Sequence, residues 1–98
     1  MLFARYHAAM PRVHFTENLQ RHVPAPSMEA AGTTVRLVLD AVFHARPDLR
    51  LFIVEETGEL RAHIVVFVDG RPIRDRAGMS DAVQPASELH VMQALSGG

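Results

Sequence analysis

TVRLVLDAVFHARP, residues 34–47, places Val35, Val38, Leu39, Val42 and Phe43 at i, i+3, i+4, i+7 and i+8, while Arg36, Asp40, His44 and Arg46 point elsewhere. That spacing predicts an amphipathic helix with one apolar stripe packed on a core. Gly32-Thr33-Thr34 supplies a start, because a Thr hydroxyl can accept from an orphan N–H of the first turn. Pro47 supplies the stop, since the residue before a proline is pushed out of the α region.

Outward from this helix the periodicity changes from 3.6 to 2. On the N-terminal side, Val13 and Phe15 alternate with His14 and Thr16, which predicts a strand with one buried face. A polar bend at residues 16–21 follows, then a proline-rich stretch and a short second strand near residues 27–31. On the C-terminal side, an unassigned segment (residues 49–54) and an acidic turn (residues 55–59) lead to AHIVVFV, residues 62–68. This run is β-branched and aromatic enough for a central strand, with Ile64, Val66 and Val68 facing the helix. Asp69-Gly70 is a two-residue hairpin signal. Pro72 cannot donate to a ladder and marks the returning strand as an edge. A loop with a helical turn at residues 80–83 precedes a last strand, in which Leu89 and Val91 alternate with His90 and Met92. Residues 12–93 thus read as one α+β domain. Residues 1–11 read as a flexible N-terminal arm or an over-extended start, and residues 94–98 as a flexible tail.

Composition removes several classes of function. Ten Arg against 11 Asp and Glu give a formal charge of −1 with no basic face, so neither nucleic acid nor an anionic membrane is an expected partner. No apolar run approaches the roughly 20 residues that span a bilayer, and no secretory leader appears, so the expected location is the cytoplasm. The chain has no Cys, hence no disulfide, thiolate zinc site or thiol nucleophile. It has no Lys either and offers no ε-amine for isopeptide links. The six His residues show neither the i, i+4 spacing nor the tight spacing of zinc motifs, so no metal site is expected. Glu55, Glu56 and Glu59 read as a solvated turn rather than an acid/base pair.

What remains is the end, ALSGG, residues 94–98. With glycine used at roughly 7% of positions, a terminal diglycine arises by chance in about 0.5% of chains, so the pair is suggestive. Its position directly after a predicted last strand adds weight. Five residues from Ala94 reach at most about 17 Å when extended, far enough to enter another protein's site. Without a Cβ, Gly97 and Gly98 pass a narrow channel and take any φ it demands. The small Ser96 and Leu95 complete the tail.

FVDGRPIRD (residues 67–75), followed by SDAV (residues 80–83), a strand and ALSGG, resembles the C-terminal half of the ThiS/MoaD family of ubiquitin-like sulfur carriers. The likeness covers residues 12–98 and is strongest from Ala62 onward. It implies the ubiquitin-like β-grasp fold, a mixed sheet with one main helix packed on one face, and a carrier that is a co-substrate rather than an enzyme. An adenylating partner of the ubiquitin-activating type would use ATP and Mg²⁺ to convert the Gly98 carboxylate into an acyl-adenylate. Sulfide or a partner's persulfide would then displace AMP to leave a thiocarboxylate for an acceptor synthase, in molybdopterin, thiazole, cysteine or similar biosynthesis. The chain itself would bind no cofactor. The resemblance also implies that the sheet face bearing Val65, Phe67 and Met92 docks on the adenylating enzyme; the alternative is a face covered by the N-terminal arm. Family tails often carry a proline where this chain has Gln93. Two rival readings stand beside the carrier: a ubiquitin-like modifier conjugated through Gly98, and a β-grasp binding module whose diglycine is incidental.

Overall fold

The computed structural model describes residues 10–94. All but the last two residues of the expected N-terminal arm lie outside them, as do Leu95, Ser96, Gly97 and Gly98. In chain order the elements are β1 (Arg12–Phe15), α1 (Glu17–Gln20), β2 (Met28–Glu29), α2 (Val35–Ala45), α3 (Pro47–Ile53), β3 (Ile64–Val68), β4 (Arg71–Pro72) and β5 (Glu88–Gln93).

α2 is the helix that residues 34–47 predict. Its start is capped by Thr34, whose hydroxyl accepts from Leu37 N at 3.2 Å. Val35, Val38, Leu39, Val42 and Phe43 are all buried. They form one core with Val13 and Phe15 from β1, Ile64 and Val66 from β3, and Leu89 and Val91 from β5. The five strands run in the order β2-β1-β5-β3-β4, with β1 and β5 parallel and the other neighbours antiparallel. α2 and one face of a mixed sheet therefore enclose the core, which is the β-grasp arrangement.

Asp69 and Gly70 turn β3 into β4 with φ of 50° and 85°, the left-handed pair that a tight hairpin needs. Asp69 also secures the start of β5. Its carboxylate accepts from Glu88 N at 2.9 Å and from the Ser87 hydroxyl at 2.8 Å.

Three local expectations are corrected. The segment from Leu49 onward belongs to a helix, α3, that opens on Pro47. Pro47 does end α2, but at the first position of a new helix its missing N–H is no loss and its fixed φ suits the helix. Buried Leu49 and Ile53 lie at i, i+4, whereas exposed Leu51 and Phe52 obscure the stripe. The polar bend contains a single helical turn, α1, which buries Leu19. Residues 80–83 are extended rather than helical. Ala82 bridges Thr34, and Val83 N donates to Thr33 O at 2.9 Å. The Asp81 carboxylate there accepts from Arg74 N and Asp75 N, which clamps the loop after β4.

Candidate functional site

β5 is the strand that leads to the tail, and it lies in the middle of the sheet, bonded on both sides. Its C-terminal end is held from two directions. Ala94 N donates to His63 O at 2.7 Å, prolonging the antiparallel ladder with β3. The Asn18 side chain, on α1, donates to Gln93 O at 3.1 Å. The last described residue, Ala94, is exposed. The backbone thus follows a defined line up to the point where the sequence becomes Leu95-Ser96-Gly97-Gly98; those four residues lie beyond the described part of the chain.

The three residues expected at a docking surface come together. Val65 and Met92 are directly opposed in the β3–β5 register. Phe67 lies two positions along β3, opposed to His90 on one side and Pro72 on the other. Successive strand side chains alternate between faces, and Ile64, Val66, Leu89 and Val91 fill the core, so Val65, Phe67 and Met92 belong to the outer face. All three are half-buried. They form an apolar patch at the end of the sheet from which the tail departs.

The same face carries a polar cluster of residues that lie far apart in the sequence. β1 and β5 are parallel with His14 opposite His90, and the two imidazoles stack with centroids 4.7 Å apart. Glu88 contacts His14 Nε2, and Ser27 Oγ shares a hydrogen bond of 2.7 Å with His14 Nδ1. Arg12 pairs with Glu29 at 3.1 Å beside them, an exposed pair of small energetic weight. The outer face is therefore polar towards β2 and apolar towards β3. The alternation of His14 and His90 with buried residues was legible, but their adjacency depends on which strands pair.

Carboxylates with a disturbed titration lie away from this patch. The N–H of Glu88 and then the hydroxyl of Ser87 hold the Asp69 carboxyl below its ordinary range. The Arg74 and Asp75 N–H groups do the same for Asp81. For Asp75 the Ser80 hydroxyl is the leading cause, followed by the N–H groups of Gly78 and Ser80. These anchor turns and carry no acid/base arrangement. Among the described residues no three His, Asp or Glu side chains converge to hold a metal ion, and no helix is long and apolar enough to cross a membrane.

A second surface feature went unseen in the sequence because α3 did. Leu51 and Phe52 stand 68% and 41% exposed, and Phe52 stacks on His22. With Leu19, Ile64 and Gln93 they border a groove of about 340 Å³ on the helix side of the sheet, beside the end of β5.

No protein-family model and no curated protein sequence matches the chain. Solved structures do. A chain of the Amycolatopsis orientalis BexX/CysO complex is 27% identical over 90% of this chain and 99% of its own, with a TM-score of 0.75. Small archaeal modifier protein 1 from Methanosarcina acetivorans is 26% identical over 94% and 99%, with a TM-score of 0.74. The Haloferax volcanii protein of that name, 22% identical over 89% and 99%, gives a TM-score of 0.74 and adds likeness of fold. In its β-grasp architecture and over most of its length the chain is similar to these ThiS/MoaD-like, ubiquitin-like proteins.

Proposed function

We propose that this protein is a sulfur carrier whose Gly98 carboxylate is activated by a partner and returned as a thiocarboxylate. The carrying observation is the course of β5. The central strand of the sheet is held to its last residue and runs on into the sequence that ends Gly97-Gly98, with the apolar patch of Val65, Phe67 and Met92 beside its exit. Such a patch next to a reactive terminus suits a partner that must grip the body while drawing in the tail. One structural neighbour is a chain from a BexX/CysO complex, so docking on a second protein is in keeping with the fold.

The chemistry requires little of the carrier. A carboxylate oxygen attacks the α-phosphorus of ATP and pyrophosphate leaves; a sulfide then adds to the acyl carbon and AMP leaves with the oxygen. Mg²⁺ and the groups that stabilise the phosphoryl transfer belong to the adenylating enzyme, because this chain has no phosphate-cradling glycine loop and no Lys. The chain is a co-substrate that binds no cofactor, and an acceptor synthase takes the sulfur in the cytoplasm.

The name of the archaeal neighbours, small archaeal modifier protein 1, favours a second reading in which the activated Gly98 is passed to amines of other proteins. One experiment addresses both. The protein is incubated with an adenylating enzyme of the ubiquitin-activating type, Mg-ATP and sulfide, and its intact mass is compared with that of a chain lacking Gly98. Exchange of one oxygen for one sulfur in the full chain alone supports the carrier. Amide-linked conjugates in cell extracts, lost with Gly98 and without any thiocarboxylate, support the modifier. Absence of both returns the chain to a plain β-grasp binding module.

A further inference from the structure

The parallel pairing of β1 with β5 is bracketed by two backbone bonds, Arg12 N to Ser87 O at 3.0 Å and Thr16 N to Val91 O at 3.1 Å. Bonds of one sense recur every second residue along a parallel pair, so the next would run from the N–H of residue 18 to Gln93 O. The backbone has by then left the strand and wound into α1. Asn18 supplies the bond with its side chain instead. Its Nδ2 donates to Gln93 O at 3.1 Å, across the same 75 residues of sequence that separate the two backbone pairs. On the other side of the same peptide unit, Ala94 N donates to His63 O on the β3 side. Both polar groups of the Gln93–Ala94 peptide are therefore held, although β1 no longer runs beside it. What lies there is an open cleft of about 540 Å³ between α1 and Met92, Gln93 and Ala94.

We propose that Asn18 is a positioning residue for activation of the chain's terminus, a side chain standing in for a strand residue and pinning the Gln93–Ala94 peptide at a fixed offset from the docking patch. Met92, which belongs to that patch, directly precedes this peptide. A partner docked on Val65, Phe67 and Met92 thus meets the point where β5 ends at one place. With Asn18 removed, the peptide is held from β3 alone, and each docked complex must gather the chain from more conformations. That entropy is met after docking, so it lowers kcat and leaves KM as it was. This consequence rests on the carrier or modifier reading; the pinning itself does not.

Amide hydrogen exchange on the full chain, without ATP or partner, tests the pinning. Asn18→Ala should speed exchange of the Ala94 N–H about fivefold and leave Leu89 and Val91, deeper in β5, unchanged. Ala is a better helix former than Asn, so the substitution does not weaken α1, and thermal unfolding should stay where it is. Adenylation by an enzyme of the ubiquitin-activating type with Mg-ATP, followed through pyrophosphate release, tests the role. Asn18→Ala should lower kcat about fivefold at unchanged KM, and Asn18→Gln, which keeps an amide donor on a longer arm, should recover part of the rate. Unaltered exchange at Ala94 would overturn the pinning. Faster exchange with unaltered kcat, a change in KM alone, or a fall in unfolding temperature would overturn the positioning role. A wild-type chain that releases no pyrophosphate would overturn the proposed function and that role with it, while the exchange result stands by itself, so the two failures are distinguishable.

Discussion

Asp69 joins two tasks in one residue. Its backbone takes the left-handed conformation that the hairpin requires, and its carboxylate ties the start of β5 to that hairpin. Asn tolerates the same backbone, so Asp69→Asn removes the charge and leaves the turn. A carboxyl held below its ordinary value stabilises the fold fully above the unfolded value near pH 3.9. That contribution is lost as pH falls towards the lower folded value, because the unfolded chain then binds the proton more readily. Urea unfolding from pH 7 to pH 2.5 should show stability declining below about pH 4, with a smaller decline in Asp69→Asn. An equal decline in both would remove Asp69 from the acid limb. Asp48, held down by Arg46, and Asp75 and Asp81, shifted in the same direction by their own turns, contribute to the decline as well. Gly32 makes a different single-residue demand. A Cβ there would lie 2.6 Å from Val38 N and 2.9 Å from Leu37 C, both backbone atoms of α2. Gly32→Ala must therefore displace the main helix, with an expected loss of about 1–3 kcal/mol by denaturant titration.

At the scale of elements, α3 explains how a segment with weak periodicity still belongs to the core. Leu49 and Ile53 are completely buried, while Leu51 and Phe52 on the other side are not. Leu49→Ala should cost about 2–5 kcal/mol, through lost burial and the cavity left behind. Leu51→Ser should change stability by no more than about 0.5 kcal/mol, because a side chain 68% exposed has little burial to lose. A larger cost for Leu51→Ser than for Leu49→Ala would show that α3 packs the other way round. The short edge strands β2 and β4, two residues each, matter by being short. They leave little unpaired backbone to recruit another chain into the sheet.

Across the whole molecule the sheet divides the work. One face builds the core with α2, and the other presents apolar Val65, Phe67 and Met92 near the tail and the His14–His90–Glu88 cluster further away. Met92 is only half-buried on the outer face, so Met92→Asp should lower stability by about 1 kcal/mol at most and leave the fold intact. On the proposed reading it should weaken binding to the adenylating enzyme by about tenfold or more, roughly 1.4 kcal/mol, as measured by titration calorimetry. A large fall in unfolding temperature would instead make Met92 part of the core, and unaltered affinity would move the docking site elsewhere.

The sequence by itself determined those features whose information is local. α2 was legible in its apolar stripe and Thr34 cap, β1, β3 and β5 in their period-two alternation, and the hairpin in Asp69-Gly70, because each depends on residues within a few positions. Met92 and Val65 could be placed on an outer face by the same alternation. Only tertiary structure decided which strands became neighbours. His14 and Glu88 are 74 residues apart in the chain and touch because β1 pairs with β5 in parallel, which no periodicity encodes. The groove beside the last strand exists because α3 turns Leu51 and Phe52 outwards at that end of the sheet. A local pattern states which face a side chain occupies; which other element shares that face is settled by long-range packing of the whole core.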